Sequence, residues 1–424
     1  MVVMACSSRP LSVTLLQPPS VPPDAGTLAG LEFSLTAAWD GGRVNAPAQS
    51  LGRGFSLELP VGVPVDVEVD GVAPAAPPWR GEWHGTISSL GSSSELSVLM
   101  LPVGFISSFP TLSGLPSLSG ASATPLDPGR VLILGGVVNG GIQQSAWIYD
   151  QNLVSFVPAA VPARPWAYHL ALPLGDDEVL LAGGDGEGTS LELYFPGDGG
   201  KSAGSLSQPQ WLPSGALLGA GRALLGCGRA PDGGLSSSIG VEGWPDGGSF
   251  PISCSGGQIV EGASGALVIV PAGVVLSIGL DGSETPFETP VTPRSGFGAA
   301  ADGQGGVLVV GGFDDAGVVT RLVEDIESHS QASGQLDTPR ADVTVVPFDG
   351  GYLVVGGVDE TGKALATAQI ISGSTLLSGG ELALSQPRHF PAAAQIPGYR
   401  LTLIVSGQGT NGEPAGGLDL FAAP

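Results

Sequence analysis

One pattern of apolar and small residues recurs along the chain. A run of branched apolar side chains stops at two small residues: Val131-Leu-Ile-Leu-Gly135-Gly136, Val179-Leu-Leu-Ala-Gly183-Gly184, Val307-Leu-Val-Val-Gly311-Gly312 and Tyr352-Leu-Val-Val-Gly356-Gly357. Weaker copies are Ala223-Leu-Leu-Gly-Cys227-Gly228, Ala266-Leu-Val-Ile-Val270-Pro271 and Leu403-Ile-Val-Ser-Gly407-Gln408. Aligned at 135, 183, 227, 270, 311, 356 and 407, the copies step by 48, 44, 43, 41, 45 and 51 residues, a mean near 45. A fixed period of this length marks a repeat architecture.

Each unit follows one plan. An Ala/Gly-rich lead-in (Ser295-Gly-Phe-Gly, Arg340-Ala-Asp-Val, His389-Phe-Pro-Ala) precedes the apolar run. A polar turn follows, such as Asp314-Asp-Ala-Gly or Asp359-Glu-Thr-Gly, then a third strand such as Leu191-Glu-Leu-Tyr-Phe and a looser fourth. Four strands in about 45 residues is a propeller blade. The second strand is apolar throughout because neighbouring sheets cover both its faces, and glycine at its end permits φ > 0 for a sharp turn. The count is seven blades, or six if the degenerate fourth unit at Val270-Pro-Ala-Gly merges with a neighbour. The last unit ends in its third strand, Gly417-Leu-Asp-Leu-Phe421. The segment 105–109 is therefore expected to supply the missing strand and close the ring without an unpaired edge.

Residues 11–103 read differently. Leu31-Glu-Phe-Ser-Leu-Thr-Ala, Phe55-Ser-Leu-Glu-Leu, Val65-Asp-Val-Glu-Val and Glu95-Leu-Ser-Val-Leu-Met-Leu alternate apolar with polar, which predicts strands with one buried and one wet face, as in a small antiparallel β-sandwich. The expected organisation is an all-β chain with a tether at 1–10, a sandwich at 11–103 and a propeller at 104–424.

Composition sharpens this. The 69 Gly and 37 Pro interrupt nearly every window before a long helix could form, and apolar residues at 42% argue for turn-rich β structure. With 15 Lys+Arg against 39 Asp+Glu, the net charge is −24. That balance argues against nucleic acid and anionic membrane surfaces as direct partners, and leaves a cationic or neutral ligand. No apolar run reaches the roughly 18 residues of a membrane span.

The repeats resemble kelch-type β-propellers on three features: the Gly-Gly pairs, the third-strand aromatics Trp147, Tyr149, Tyr194 and Phe195, and the arginines Arg164, Arg294, Arg340 and Arg388 that open the units. Most units lack the fourth-strand Trp usual in that family. The stretch Gly54-Phe-Ser-Leu-Glu-Leu-Pro60-Val-Gly62 and the strand after it look like the transthyretin-like, carboxypeptidase-regulatory modules of bacterial surface proteins; the resemblance implies a mount or spacer. Val3-Met-Ala-Cys6-Ser-Ser resembles a bacterial lipoprotein box, which implies acylation of Cys6. Five residues precede Cys6, too few for the charged and apolar parts of a signal peptide. Together these resemblances imply a kelch repeat lipoprotein of a bacterial envelope, facing the periplasm or the outside, whose membrane link is the lipid.

Candidate chemistry is sparse. His84, His169, His329 and His389 show no i, i+4 pair and the chain has no Cys-x-x-Cys, so no metal or cofactor is expected. The acidic turns lack the Asp-x-Asp-x-Asp-Gly spacing of a calcium loop, and Asp, Asn and Gly are ordinary turn formers. Gly262-Ala-Ser264 lacks the strand–turn–helix context of a nucleophile elbow. Cys227 and Cys254 are the candidate disulfide in an oxidising compartment. Read as lying on the second and fourth strands of one blade, about 4.8 Å per strand step, they exceed the roughly 7 Å limit on Cα separation unless the strands curve or the register differs. No catalytic residue is assigned. The expected function is a non-enzymatic binding or scaffold role toward a protein or glycan. Asp314, Asp315, Asp359 and Glu360 are its candidate contact loops, and the alternatives are a carbohydrate-active or sugar-isomerising enzyme and a subunit of a larger surface machine.

Overall fold

The computed structural model describes residues 8–50, 55–74, 76–87, 95–110, 114–175, 177–184, 188–206, 208–218, 223–229, 239–242, 249–250, 254–262, 265–301, 305–327 and 330–424. Cys6, Ser264, His329 and the turn at 185–187 lie outside the described residues.

The N-terminal part is one seven-stranded sheet made of β1 (Ser8–Leu16), β2 (Glu32–Trp39), β3 (Gly42–Ser50), β4 (Phe55–Pro60), β5 (Pro64–Ala73), β6 (Ala76–Thr86) and β7 (Glu95–Pro102). Its order is β3-β2-β5-β6-β7-β1-β4, and the edge strands β3 and β4 approach each other, so the sheet is nearly closed. The expected alternation holds: in β5, Val65, Val67 and Val69 are fully buried while Pro64, Asp66 and Glu68 face outward. Two features differ from a purely antiparallel sandwich. β1 and β7 run parallel, and one curled sheet encloses the core that two flat sheets were expected to share. The core centres on Trp79, Phe33 and Met100, and the Trp79 indole donates to the Ala25 carbonyl at 3.2 Å.

The rest forms seven four-stranded antiparallel sheets. Six are built in chain order; the seventh takes Ala392–Gln395, Leu401–Val405 and Leu418–Ala422 and is completed by β8 (Ile106–Phe109). Leu420 pairs with Ser107 and Phe421 with Ile106, so the expected closure is present. The innermost strands begin at Ser122, Leu170, Ser214, Gln258, Gly298, Thr344 and Ala392. Each touches the next, and the last returns to the first, which makes a ring. Blades are numbered 1 to 7 in that order. Past a part-exposed first residue in blades 1 and 2, the second strands are buried, as in Val307–Val310, where each side chain contributes about 1.5–3 kcal/mol of hydrophobic stabilisation.

The glycine pairs tie neighbouring blades. In blades 1, 2, 5 and 6 the second glycine's N–H donates to a carbonyl of the lead-in to the next blade: Gly136 to Trp166 (2.7 Å), Gly184 to Gln210 (2.8 Å), Gly312 to Arg340 (3.0 Å) and Gly357 to Arg388 (2.8 Å). The same carbonyls press on the first glycine. A Cβ at Gly311 would meet the Arg340 oxygen at 2.1 Å, and one at Gly356 the Arg388 oxygen at 2.2 Å. In blade 7 the residue in this conformation is Ser406 (φ 58), one place before the aligned Gly407. In blade 3 it is Cys227 (φ 58).

The opening arginines hold each lead-in onto the blade it enters. Arg388 donates to the Ser406 carbonyl (2.7 Å), the Gly416 carbonyl (2.9 Å) and Asp419 (3.2 Å). Arg340 reaches the carbonyls of Gly356 (3.2 Å) and Thr367 (3.0 Å) and the Glu381 carboxylate (2.9 Å). Arg294 pairs with Glu324, and Arg164 bonds the Ser190 hydroxyl. Burial lowers the pKa of Arg294, Arg340 and Arg388, and their carboxylate partners oppose it; guanidinium stays charged regardless. Glu192, Glu324, Gln369 and Asp419 share one register position, opposite Leu181, Val309, Val354 and Ile404. All four are buried, and each accepts a lead-in N–H, from Ala163 (2.7 Å), Thr292 (3.2 Å), Asp337 (3.1 Å) and Ser385 (3.1 Å).

The N-terminal sheet attaches at the end of the ring where the first strands finish. The Tyr399 hydroxyl, in the turn between the first two strands of blade 7, donates to Asn152 Oδ1 at 2.6 Å and accepts the His84 N–H at 3.1 Å. Asn152 donates to the His84 carbonyl at 2.7 Å, and the Arg400 N–H bonds Glu82 at 2.9 Å. The opposite end, where the first strands begin, is left to the channel mouth.

Candidate site at the channel mouth

Two residues before each innermost strand the backbone turns left-handed, in all seven blades. The residues are Gly120 (φ 66), Tyr168 (φ 53), Leu212 (φ 51), Gly256 (φ 71), Gly296 (φ 61), Asp342 (φ 53) and Phe390 (φ 49). In three of the seven the N–H donates to the matching residue one blade back: Tyr168 to the Gly120 carbonyl (2.7 Å), Leu212 to Tyr168 (2.9 Å) and Asp342 to Gly296 (2.6 Å). Glycine adopts this conformation without penalty. For a side-chain-bearing residue left-handed backbone costs roughly 1–2 kcal/mol, and such residues gather where a side chain must be aimed. Four blades carry that cost, and their side chains stand at the mouth of the channel, which holds a cavity of about 280 Å³.

Glycines make room for these side chains. The Tyr168 ring lies over Gly120, where an added Cβ would meet it at 2.6 Å, and Asp342 Oδ1 lies over Gly296 at 2.8 Å. Tyr168 stacks on Trp211 with ring centroids 5.6 Å apart and planes 14° from parallel, and its hydroxyl accepts from Gln408 Nε2 at 2.5 Å. His389 stacks on Phe390 at 3.9 Å, and His169 Nε2 lies 3.0 Å from Ser122 Oγ.

Asp342 is the charged centre. Its Oδ2 lies 3.1 Å from His389 Nε2 and its Oδ1 accepts from Arg229 Nη2 at 3.3 Å. Arg229 follows the second strand of blade 3, whereas Asp342 leads into blade 6. In a ring of seven these blades stand on opposite sides, so the pair crosses the mouth. The Asp342 side chain is 9% exposed and that of Arg229 is 41% exposed.

Cys227 and Cys254 border the same region and form a disulfide, with Cα atoms 4.8 Å apart. The fourth strand of blade 3 ends at Phe250, so Cys254 lies past it, in the lead-in to blade 4. The bond therefore links two blades, which removes the distance objection raised by placing both cysteines in one sheet.

The acidic hairpins project from the mouth end. Asp314 Oδ1 accepts the N–H groups of Ala316 (2.9 Å) and Val318 (2.8 Å), and Asp359 Oδ1 those of Thr361 (2.8 Å) and Lys363 (3.0 Å). These carboxylates close their own turns, and the Thr361 hydroxyl, first among the causes, holds Asp359 below the usual carboxylate range. Asp315 and Glu360 stay exposed. Among the described residues no group of three or more His, Cys, Asp or Glu is placed to hold a metal.

Sequence reasoning overlooked Tyr168, Trp211, Arg229, Asp342 and Phe390. Their signal was a departure: the position that is glycine in blades 1, 4 and 5 is Tyr, Leu, Asp and Phe in blades 2, 3, 6 and 7. The chain matches no known protein family, and no curated protein matches it.

Proposed function

We propose that this protein is a non-enzymatic binding protein of a bacterial envelope, a kelch-like propeller that takes its partner at the channel mouth. The observation that carries the reading is the set of four strained, side-chain-bearing residues at a position that glycine fills in the other blades. Aromatic rings, a carboxylate, a guanidinium and the His169 imidazole line a small cavity there, with His389 on the carboxylate, which is the composition of a recognition site. Glycoside hydrolysis uses a pair of carboxylates roughly 5–9.5 Å apart. Asp342 is the single carboxylate among the described residues lining the cavity, and this favours binding over sugar chemistry.

In this reading Cys6 carries the lipid, and the nearly closed N-terminal sheet mounts the ring by its far end, leaving the mouth clear. The test is affinity capture from solubilised bacterial membranes with wild type and with a Tyr168→Ala/Phe390→Ala variant. A partner held by wild type and lost by the variant supports the reading. A partner retained by a correctly folded variant overturns it. Labelling with an acyl-chain analogue, absent in Cys6→Ser, tests the anchor.

A further inference from the structure

The Arg229–Asp342 pair has the geometry of an occupied site. Asp342 is fixed: its backbone belongs to the hydrogen-bonded belt, its Oδ1 lies over Gly296 and its Oδ2 is on His389. Arg229 is the loose member, joined to Asp342 by one 3.3 Å contact and exposed over 41% of its side chain. One 3.3 Å contact from a guanidinium that keeps much of its surface in water is a weak tie beside a short or bidentate one. Arg229 can therefore leave Asp342 at little cost, whereas Asp342 cannot move without breaking the belt.

From this asymmetry we infer that the channel mouth binds a guanidinium group of a partner protein, an arginine side chain that displaces Arg229 from Asp342. The inference rests on the binding reading above and gives its ligand a chemistry. The structure itself shows a guanidinium seated on this carboxylate. Tyr168 and Phe390 line the same cavity and give the aliphatic stem of an arginine an apolar wall. A protein of net charge −24 draws cationic partners from a distance. Once Arg229 swings out, Asp342 is the one formal charge among the described lining residues.

The test is calorimetric titration of the full chain with four probes: the tripeptide acetyl-Gly-Arg-Gly-amide, its citrulline and glutamate counterparts, and agmatine as a free guanidinium. Wild type should bind the arginine peptide and not the citrulline peptide. Arg229→Ala removes the internal competitor, so its affinity should rise about two- to five-fold. Asp342→Asn should weaken binding at least about ten-fold, the mark of a lost charged hydrogen bond. Peptide bound more tightly than agmatine identifies a protein chain as the source, and equal affinity identifies a small guanidinium compound. Loss of binding in Arg229→Ala, with gain of a glutamate peptide by wild type, would show the opposite polarity and overturn the inference. So would failure of both guanidinium probes with wild type and with Arg229→Ala, a variant that leaves the belt intact. If the probes fail while membrane capture still depends on Tyr168 and Phe390, the guanidinium inference falls and the binding reading stands.

Discussion

Replacing Gly356 with alanine tests how the blades are joined. Gly356 has φ +59, and an added Cβ would meet the Arg388 carbonyl oxygen at 2.2 Å. The left-handed backbone alone costs alanine roughly 1–2 kcal/mol. Relief of the clash must push the carbonyl away and break its 2.8 Å bond from the Gly357 N–H, worth about 1 kcal/mol net. The carbonyl belongs to Arg388, whose fully buried side chain is fixed at Ser406, Gly416 and Asp419, so the movement strains that set too. The sum is roughly 3 kcal/mol or more. Gly362, six residues on, has φ +77 and open space where the Cβ would go; Gly362→Ala should cost only the conformational part, roughly 1–2 kcal/mol. The assay is urea unfolding followed by circular dichroism, comparing midpoints. Gly356→Ala should lose clearly more than Gly362→Ala. Equal losses would falsify the argument that the first glycine of each pair is fixed by the incoming carbonyl.

Further perturbations address other joints. Asp419→Ala leaves the buried Arg388 without its carboxylate and should cost about 3–5 kcal/mol, read as a large drop in melting temperature; a drop no larger than that of a surface Asp→Ala contradicts the buried pair. Deleting residues 105–109 removes the strand paired with Leu418–Ala422 and should sharply lower the melting temperature, so an unchanged melt would sink the closure. The Cys227–Cys254 bond closes a loop with sequence separation 27, and its reduction should cost about 2–4 kcal/mol; titration of the unreduced, unfolded protein should find both thiols blocked. Burial, first among the causes, raises the phenol pKa values of Tyr149 and Tyr399. A raised folded-state pKa gives stability that is complete below the unfolded tyrosine value, about 10, and is lost as pH rises above it. The melting temperature should therefore fall above about pH 10, each phenol contributing about 1.4 kcal/mol per pH unit, and Tyr149→Phe should shallow that fall.

The sequence made the ring legible because its signals are local and repeated. Val307–Val310 and Tyr352–Val355 are apolar at every position, their glycines follow at once, and the period counts the blades. The unfinished last unit pointed to the closing strand for the same reason. The buried acids were not legible: Glu324, in Leu-Val-Glu-Asp-Ile, reads as the wet position of an alternating strand, and its burial is made tolerable by the arriving Thr292 N–H and hydroxyl, Gln331 and Arg294. β6 escaped too, since Pro77, Pro78 and Gly81 break its alternation. Cys254 was displaced by assuming that the fourth strand extends to it. The mouth was hidden for a deeper reason. Left-handed backbone is announced by glycine, so Tyr168, Leu212, Asp342 and Phe390 carry no local sign of theirs. They are found by aligning the blades and asking where a non-glycine sits on a glycine's conformation.

The most direct test of the mouth as the functional surface is site-specific photo-crosslinking in intact cells. A photoreactive residue would replace Leu212, at the mouth, or Leu153, 64% exposed in the turn between the third and fourth strands of blade 1, at the other end of the ring. The account predicts a discrete cross-linked partner from position 212 and none from position 153. A partner captured from position 153 and not from position 212 would contradict it.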